Sequence, residues 1–268
     1  MIKRMAAGIF PRLLHNVPKD KKWLYPFYLA GQLHVVEEAY RSAALPAAFD
    51  GLSIAYASDI HHGPYFKEAE VLALHQRLLK MDTDLVLLGG DYGDVPANSI
   101  AFFKRIPPFP TDKTVLAVVG NHDIGDKPND TMPAATVTEE WLAGYRRFFG
   151  EPWLAHRFAG CTLLLLNSPL LNSGHGAERM QRAWFEQALA DARGTRIFIA
   201  THYPPYLVSP DEPGHYDNVD MPAREWLLDL LAQHRVEAMF CGHVHNLFYN
   251  RLGGTEIYML PFFSLTNP

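Results

Sequence analysis

The stretch "LSIAYASDIHHGPYFKEAEVLALHQRLLKMDTDLVLLGGDYGD", residues 52–94, decides how the rest of the chain is read. "LSIAYA" (52–57) reads as a strand. "FKEAEVLALHQRLLKM" (66–81) then places Val71, Leu72, His75, Leu78 and Leu79 along one helical face. "DLVLLGG" (84–90) is a short continuous apolar run of the kind found in a strand covered on both sides. Strand, helix and strand in this order form a βαβ unit.

The same alternation continues outward. "TVLAVVG" (114–120), "TLLLLN" (162–167), "RIFIAT" (196–201) and "VEAMFCG" (236–242) are further predicted strands, with helices near 138–149, 178–192 and 222–234. Met180, Trp184, Phe185, Ala188 and Leu189 form the apolar stripe expected for the helix at 178–192. "NLFYNRLGG" and "TEIYML" read as a hairpin turning at Gly253 and Gly254. The proline-rich stretches at 106–110 and 203–213 read as surface loops. The expected organisation is an N-terminal arm over residues 1–45 and one α/β domain over 46–268.

With 268 residues, 48% hydrophobic and 20% charged, the chain has the composition of an ordinary globular protein. A formal charge of −5 argues against a nonspecific nucleic-acid binder, so no nucleic-acid scaffold role is expected. Cys161 and Cys241 lie in strand-like runs and read as buried thiols of a reducing compartment, which predicts a cytoplasmic protein. In the arm, "WLYPFYLAGQL" (23–33) is far shorter than the ~20 residues needed to span a bilayer. The arm mixes Trp23, Tyr25, Phe27 and Tyr28 with Lys19, Lys21 and Lys22, which suits either peripheral contact with the inner membrane surface or packing over the core.

The polar residues fall where the strands end. "SDIHHG", "GGDYGD", "GNHD", "THYPP" and "GHVH" each follow a predicted strand, and in open α/β sheets sites form at the carboxyl ends of strands. Side chains alternate along an extended chain, so Asp59 can face the same way as His61, and His243 the same way as His245. By the same alternation His62 is directed elsewhere. Asp91 has two carboxylate oxygens with which to bridge two cations, and Asn121 offers a neutral amide oxygen. Imidazole and carboxylate together suit Mn, Fe, Zn, Co or Ni better than Ca. Two such divalent ions against the carboxylates of Asp59 and Asp91 leave net positive charge, which attracts a phosphate and acidifies bound water.

Taken together the motifs resemble the calcineurin-like metallophosphoesterase family, whose ordered pattern is DxH, GDxxD, GNHD or GNHE, a later lone His, and GHxH. Here the pattern reads Asp59 and His61, Asp91 and Asp94, Asn121 to Asp123, His202, and His243 with His245, and it spans roughly residues 50 to 260. The resemblance implies a four-layer αββα sandwich of two mixed β-sheets flanked by helices. It implies one metal on Asp59, His61, Asp91 and His245, and another on Asp91, Asn121, His202 and His243. It makes His122 the residue beside the substrate that stabilises phosphoryl charge or protonates the leaving oxygen, with Asp94 orienting its ring. Two divalent transition-metal ions are expected as cofactors, Mn foremost in vitro, with hydrolysis by a metal-bound hydroxide.

Further expectations concern the substrate. The protein serine/threonine phosphatases of this family carry an arginine just after GDxxD, where this chain has Val95, which argues against a protein phosphatase. The lead-in "LPAAFDGLSIAYASDIHHG" resembles a bacterial phosphodiesterase-like branch, often membrane-associated. Phosphodiester or pyrophosphate hydrolysis of a phosphorylated small molecule or lipid-linked substrate is therefore expected. The alternatives are a phosphomonoesterase and a non-catalytic metal-dependent scaffold that binds a phosphorylated partner. Asp123, Tyr203, His175 and His215 are candidate substrate contacts, with Tyr206 a further candidate pocket wall; His175 and His215 sit in the glycine-containing loops "NSGHGAE" and "EPGHYDN".

Overall fold

A computed structural model describes residues 35, 37, 51–64, 66–130, 132 and 135–260. The arm at 1–45, apart from residues 35 and 37, lies outside the described residues, as do His15 and His34. In chain order the elements are β1 (Ile54–Ala57), α1 (Glu68–Lys80), β2 (Leu85–Leu88), α2 (Pro96–Arg105), β3 (Thr114–Ala117), α3 (Asn121–Ile124) and α4 (Glu139–Phe149). They continue with β4 (Leu154–Phe158), β5 (Cys161–Leu166), α5 (Gly176–Asp191), β6 (Arg196–Thr201), α6 (Ala223–Gln233), β7 (Ala238–Cys241), β8 (Phe248–Leu252) and β9 (Thr255–Met259). A 3-10 turn at Ser168–Leu170 separates β5 from α5.

The strands form two sheets, one of order β1-β2-β3 and one of order β4-β5-β6-β7-β9-β8. β1, β2 and β3 pair in parallel. In the larger sheet β5, β6, β7 and β9 run parallel, while β4 and β8 pair antiparallel at its two edges. Only the larger sheet is therefore mixed among the described residues, a correction to the expectation of two mixed sheets.

Period-two alternation builds the layers. On β2, Leu85 and Leu87 face the second sheet and pack with Leu116, Leu163, Leu165 and Ala200. Val86 and Leu88 face outward and pack with Val71, Leu74 and Leu78 of α1 and Phe102 of α2. On the far side, Phe185 and Leu189 of α5 and Leu227 and Leu231 of α6 cover Leu164, Ile197, Ile199 and Met239. The result is helix, sheet, sheet, helix, the α/β sandwich predicted.

Local signals explain several element ends. Pro96 opens α2, where its missing N–H would have no partner in any case. Thr138 caps α4 by accepting the Trp141 N–H at 3.2 Å. Two helix faces differ in part from those predicted: α1 buries Leu74 with Val71, His75 and Leu78 but leaves Leu72 and Leu79 partly exposed, and Met180 on α5 is 55% exposed. In α5 the buried row instead includes Gln181, which exchanges hydrogen bonds with the Asn167 main chain. Residues 203–206 are buried, so only the later part of the 203–213 loop is at the surface. His156 lies on the edge strand β4.

Candidate functional site

β1, β2, β3, β6 and β7 all deliver their polar residues to one place. The turns that do so are not extended: Asp59 (φ 55), His61 (φ 48), Asp91 (φ 55), His243 (φ 67) and His245 (φ 60) have left-handed backbones. Such a conformation costs a non-glycine residue about 1–3 kcal/mol and persists only where surrounding contacts over-determine it. Those contacts are present: the Asp59 N–H donates to Gly90 O at 2.9 Å, His61 N–H to Asp91 O at 2.9 Å, and His243 N–H to Asp59 Oδ1 at 3.0 Å. The side chains converge through backbone reversal, where the sequence reading invoked strand alternation.

Glycines let the loops approach this closely. A Cβ on Gly120 would lie 2.1 Å from Asp91 Oδ1 and 2.5 Å from the Asp91 nitrogen. Gly90 has φ 101, and a Cβ there would meet the Gly120 backbone at 2.7 Å.

Three overlapping groups of side chains have the spacing to hold a cation: Asp59, His61 and His245; His61, Asp91 and His122; and Asp91, His202 and His243. His202 Nε2 lies 3.0 Å from Asp91 Oδ2 and 3.9 Å from Asp59 Oδ1. His245 Nε2 lies 3.3 Å from Asp59 Oδ1 and 3.4 Å from His61 Nε2, which is itself 3.8 Å from Asp91 Oδ2. The group of Asp91, His202 and His243 is enclosed, whereas the side chain of His245 is 36% exposed, so the group of Asp59, His61 and His245 opens to solvent.

Main-chain carbonyls fix the rings. His202 Nδ1 donates to Gly89 O at 2.9 Å, which turns Nε2 inward. His243 Nε2 donates to Tyr216 O at 3.0 Å, which leaves Nδ1 free as an acceptor. Asn121 Nδ2 donates to Asp126 Oδ1 at 2.5 Å, while Asn121 Oδ1 is buried with no hydrogen-bond partner. Asp59 Oδ2 is likewise buried and unpartnered. Oxygen acceptors left bare in a protein interior cost free energy unless something satisfies them. These oxygens and the inward imidazole nitrogens fit transition-metal cations.

The electrostatics agree. Burial pushes the Asp59 carboxyl up, but His245 and His202 outweigh it and hold it at about 2. Asp91 is likewise held well below the carboxylate range, burial being overcome by His202 and His122. Burial lowers His202, yet the Asp91 carboxylate beside it raises it to about 10. His243 is pushed well down by burial and by His202, so it stays neutral. Without a cation, the pair of carboxylates draws positive charge onto His202.

Among the other expected residues, His122 lies at the site with its ring edge-on to His61, centroids 4.7 Å apart. Its Nδ1 donates to the main-chain oxygen of Asp94 at 2.7 Å, while the Asp94 carboxylate lies 3.5 Å from His61 Nδ1. The expected carboxylate–His122 pairing is thus corrected to a carbonyl–His122 pairing. His62 turns away to Phe66 O and Arg105.

The candidate substrate contacts each have partners within the fold. Asp123 is 3% exposed, and its oxygens accept from the main chain of Asp91, Tyr92 and Gly120 and from Ser99 Oγ, so it staples the loops together. Tyr203 is fully buried and packs edge-on against His243, centroids 4.5 Å apart, which makes it a support for that ring; Tyr206 is buried too. His175 precedes α5 with its ring nitrogens on Glu139 and Val137 O. His215 has its ring against Glu212 and the Asp217 N–H. Sequence reasoning missed Asp126, Lys127 and the Tyr216 carbonyl. The run "GNHDIGDK" did carry a signal, an acid and a lysine directly behind the motif.

Among the described residues no helix is long and apolar enough to cross a membrane. Residues 52–247 match the calcineurin-like phosphoesterase family profile. The chain is 30% identical over 138 residues to the serine/threonine-protein phosphatase CPPED1 of Danio rerio, a match covering 49% of this chain and 41% of that one. It therefore aligns with less than half the length of that curated relative. Its fold is similar to a dimetal phosphatase from Danio rerio, with a TM-score of 0.55 at 12% identity over 81% of this chain and 89% of that one. It is also similar to a purple acid phosphatase from yellow lupin, with a TM-score of 0.55 at 17% identity over 78% and 43% of the two chains. With the family profile spanning most of the domain and the motif residues gathered at one end of both sheets, the chain belongs to the calcineurin-like phosphoesterase family.

Proposed function

We propose that this chain is a dinuclear-metal-dependent phosphoester hydrolase in which Asp91 bridges two divalent transition-metal ions. Asp59, His61 and His245 complete the open position, and Asn121, His202 and His243 the enclosed one. The observation that carries the reading is the pair of buried, unpartnered oxygens, Asp59 Oδ2 and Asn121 Oδ1, set among inward-turned imidazoles. Bound there, the ions supply a Lewis-acid clamp for phosphoryl oxygens and acidify water for attack. Mn, Fe, Zn, Co and Ni all suit these donors.

The chain's own groups do the remaining work. Asp94 O holds His122 Nδ1, so Nε2 is the atom available to a phosphoryl oxygen or a leaving group, as acid or as hydrogen-bond donor. The Asp123 carboxylate fixes the Asp91 loop against the Gly120 loop. Gly89 O and Tyr216 O keep His202 and His243 in the tautomers that ligation needs.

We assign the substrate to the phosphodiesters or pyrophosphates, of a small molecule or a lipid-linked precursor, in line with a bacterial phosphodiesterase-like branch. Lys127 is occupied by His215 O, Asn218 O and Asp220, and Arg105 by Glu68 and His62, so neither of these cations is available to grip a dianionic phosphate. A diester, with one charge on its phosphate, needs less such help. The second reading, a phosphomonoesterase, is favoured by the matched relatives, which are named as phosphatases. The test compares hydrolysis of an activated phosphodiester and the matching monoester by metal-stripped protein reloaded with Mn²⁺. Diester preference supports the proposal, and monoester preference replaces it with the second reading.

A further inference from the structure

We infer that Asp126 and Lys127, neighbours in sequence and themselves outside the proposed ligand set, are positioning residues that together set the affinity of the enclosed metal position. The inference rests on the dinuclear reading above and adds the residues that hold two of its ligands, Asn121 and His243.

Lys127 is 2% exposed. An ammonium has three N–H groups, and here three acceptors meet it: His215 O at 2.6 Å, Asn218 O, and Asp220 Oδ2 at 3.3 Å. The first two bracket Tyr216, whose carbonyl takes the Nε2–H of His243 at 3.0 Å. Lys127 therefore holds the loop at 215–220 in the one conformation that keeps Nδ1 of His243 pointing into the site. A second route runs through Tyr203, whose ring lies 5.4 Å below Lys127 Nζ and 4.5 Å from the His243 ring.

Asp126 does the matching task for Asn121. By accepting Nδ2–H at 2.5 Å it decides which end of the amide faces the site, and the end left facing it is the unpartnered Oδ1. One dipeptide thus orients two of the neutral side chains of one metal position, Asn121 and His243. The open position is held by Asp59 N–H to Gly90 O and His61 N–H to Asp91 O, and it meets His243 through the main-chain N–H on Asp59 Oδ1 and not through the ring, so it serves as an internal control for ring orientation.

The test is a calorimetric titration of the metal-stripped full chain with Mn²⁺, for wild type and Lys127→Met. Nitrogen-15 imidazole spectra of the metal-free proteins report the His243 tautomer alongside. Wild type is expected to bind two ions. Lys127→Met is expected to bind one with wild-type affinity and the other about tenfold or more weakly, the range typical for lost supporting contacts at metal sites. Its His243 should become a tautomer mixture. Unchanged affinity at both positions overturns the inference, and so does an equal loss at both, which marks a general structural role. Should Lys127→Met not fold, Asp220→Ala removes the third partner of the ammonium together with the acceptor of the Asn129 amide, and Asn129→Ala controls for the second contact; a smaller loss at one position in Asp220→Ala alone supports the inference, and no loss overturns it. Fewer than two ions on the wild type defeats the dinuclear reading and this inference together, an outcome distinct from any seen only in the variants.

Discussion

The ring of His122 is held by the main chain of Asp94 and not by its carboxylate: Nδ1 meets Asp94 O at 2.7 Å, while the carboxylate sits 3.5 Å from His61. Side-chain substitutions at these two positions should therefore separate. His122→Ala is expected to lower turnover by about 10²–10⁴-fold, the usual contribution of a positioned acid or base, with metal content unchanged. Asp94→Asn keeps the carbonyl and should cost much less. Equal losses in steady-state rates of the two variants, with metal content unchanged in Asp94→Asn, would show that the Asp94 carboxylate acts on His122 after all.

Asp91 reaches both candidate positions, with Oδ2 near His61 and His202 and Oδ1 accepting the His122 N–H at 2.9 Å. Asp91→Asn should therefore lower occupancy at both positions, whereas Asp59→Asn should act mainly on the open one. Metal analysis after dialysis distinguishes them. Full occupancy in Asp91→Asn would remove the bridging role.

Gly120→Ala places a methyl group 2.1 Å from Asp91 Oδ1 and 2.5 Å from the Asp91 nitrogen. Main chain cannot swing aside as a flexible side chain can, so an overpacking cost of about 1–3 kcal/mol is expected, with reduced metal retention. Thermal melts and metal content check this. A variant as stable and as metal-rich as wild type would mean that the two loops are looser than their contacts indicate.

Glu212, outside the proposed metal ligands, supplies a pH dependence of stability. Burial raises its carboxyl, but the Asn218 amide and the N–H groups of Leu207, Val208 and Ser209 outweigh burial and hold it at about 2. Its folded pKa is depressed, so its stabilisation is complete above the ordinary carboxyl value and is lost as pH falls through about 2. Wild type should lose its stability advantage over Glu212→Gln across that acid window and keep it at neutral pH. A difference in melting temperature that does not change with pH would contradict this.

Much of this was legible in the sequence because strand ends are. The apolar runs of β2 and β5 and the Asp, Asn and His residues following β1, β2, β3, β6 and β7 locate both the sandwich and its site. β4 escaped notice because "LAHRF" is a half-exposed edge strand, and α2 because "PANSIAFFKR" is short and opens on proline. The residues with left-handed backbones, Asp59, His61, Asp91, His243 and His245, are not themselves glycines, so residue type does not announce that conformation. Asp94, Gly89 and Tyr216 act through carbonyls, which every residue carries, so residue type reveals nothing there. Asp123 looked like a substrate contact since only the folded loops show its oxygens already taken.

The most direct test of the central claim is the rate of phosphodiester hydrolysis by metal-stripped protein as Mn²⁺ is added in counted equivalents. The account predicts no turnover without metal and a rate that climbs until two ions are bound per chain. Turnover by the metal-free chain, or a rate already complete at one equivalent, would contradict a reaction carried by the Asp91-bridged pair.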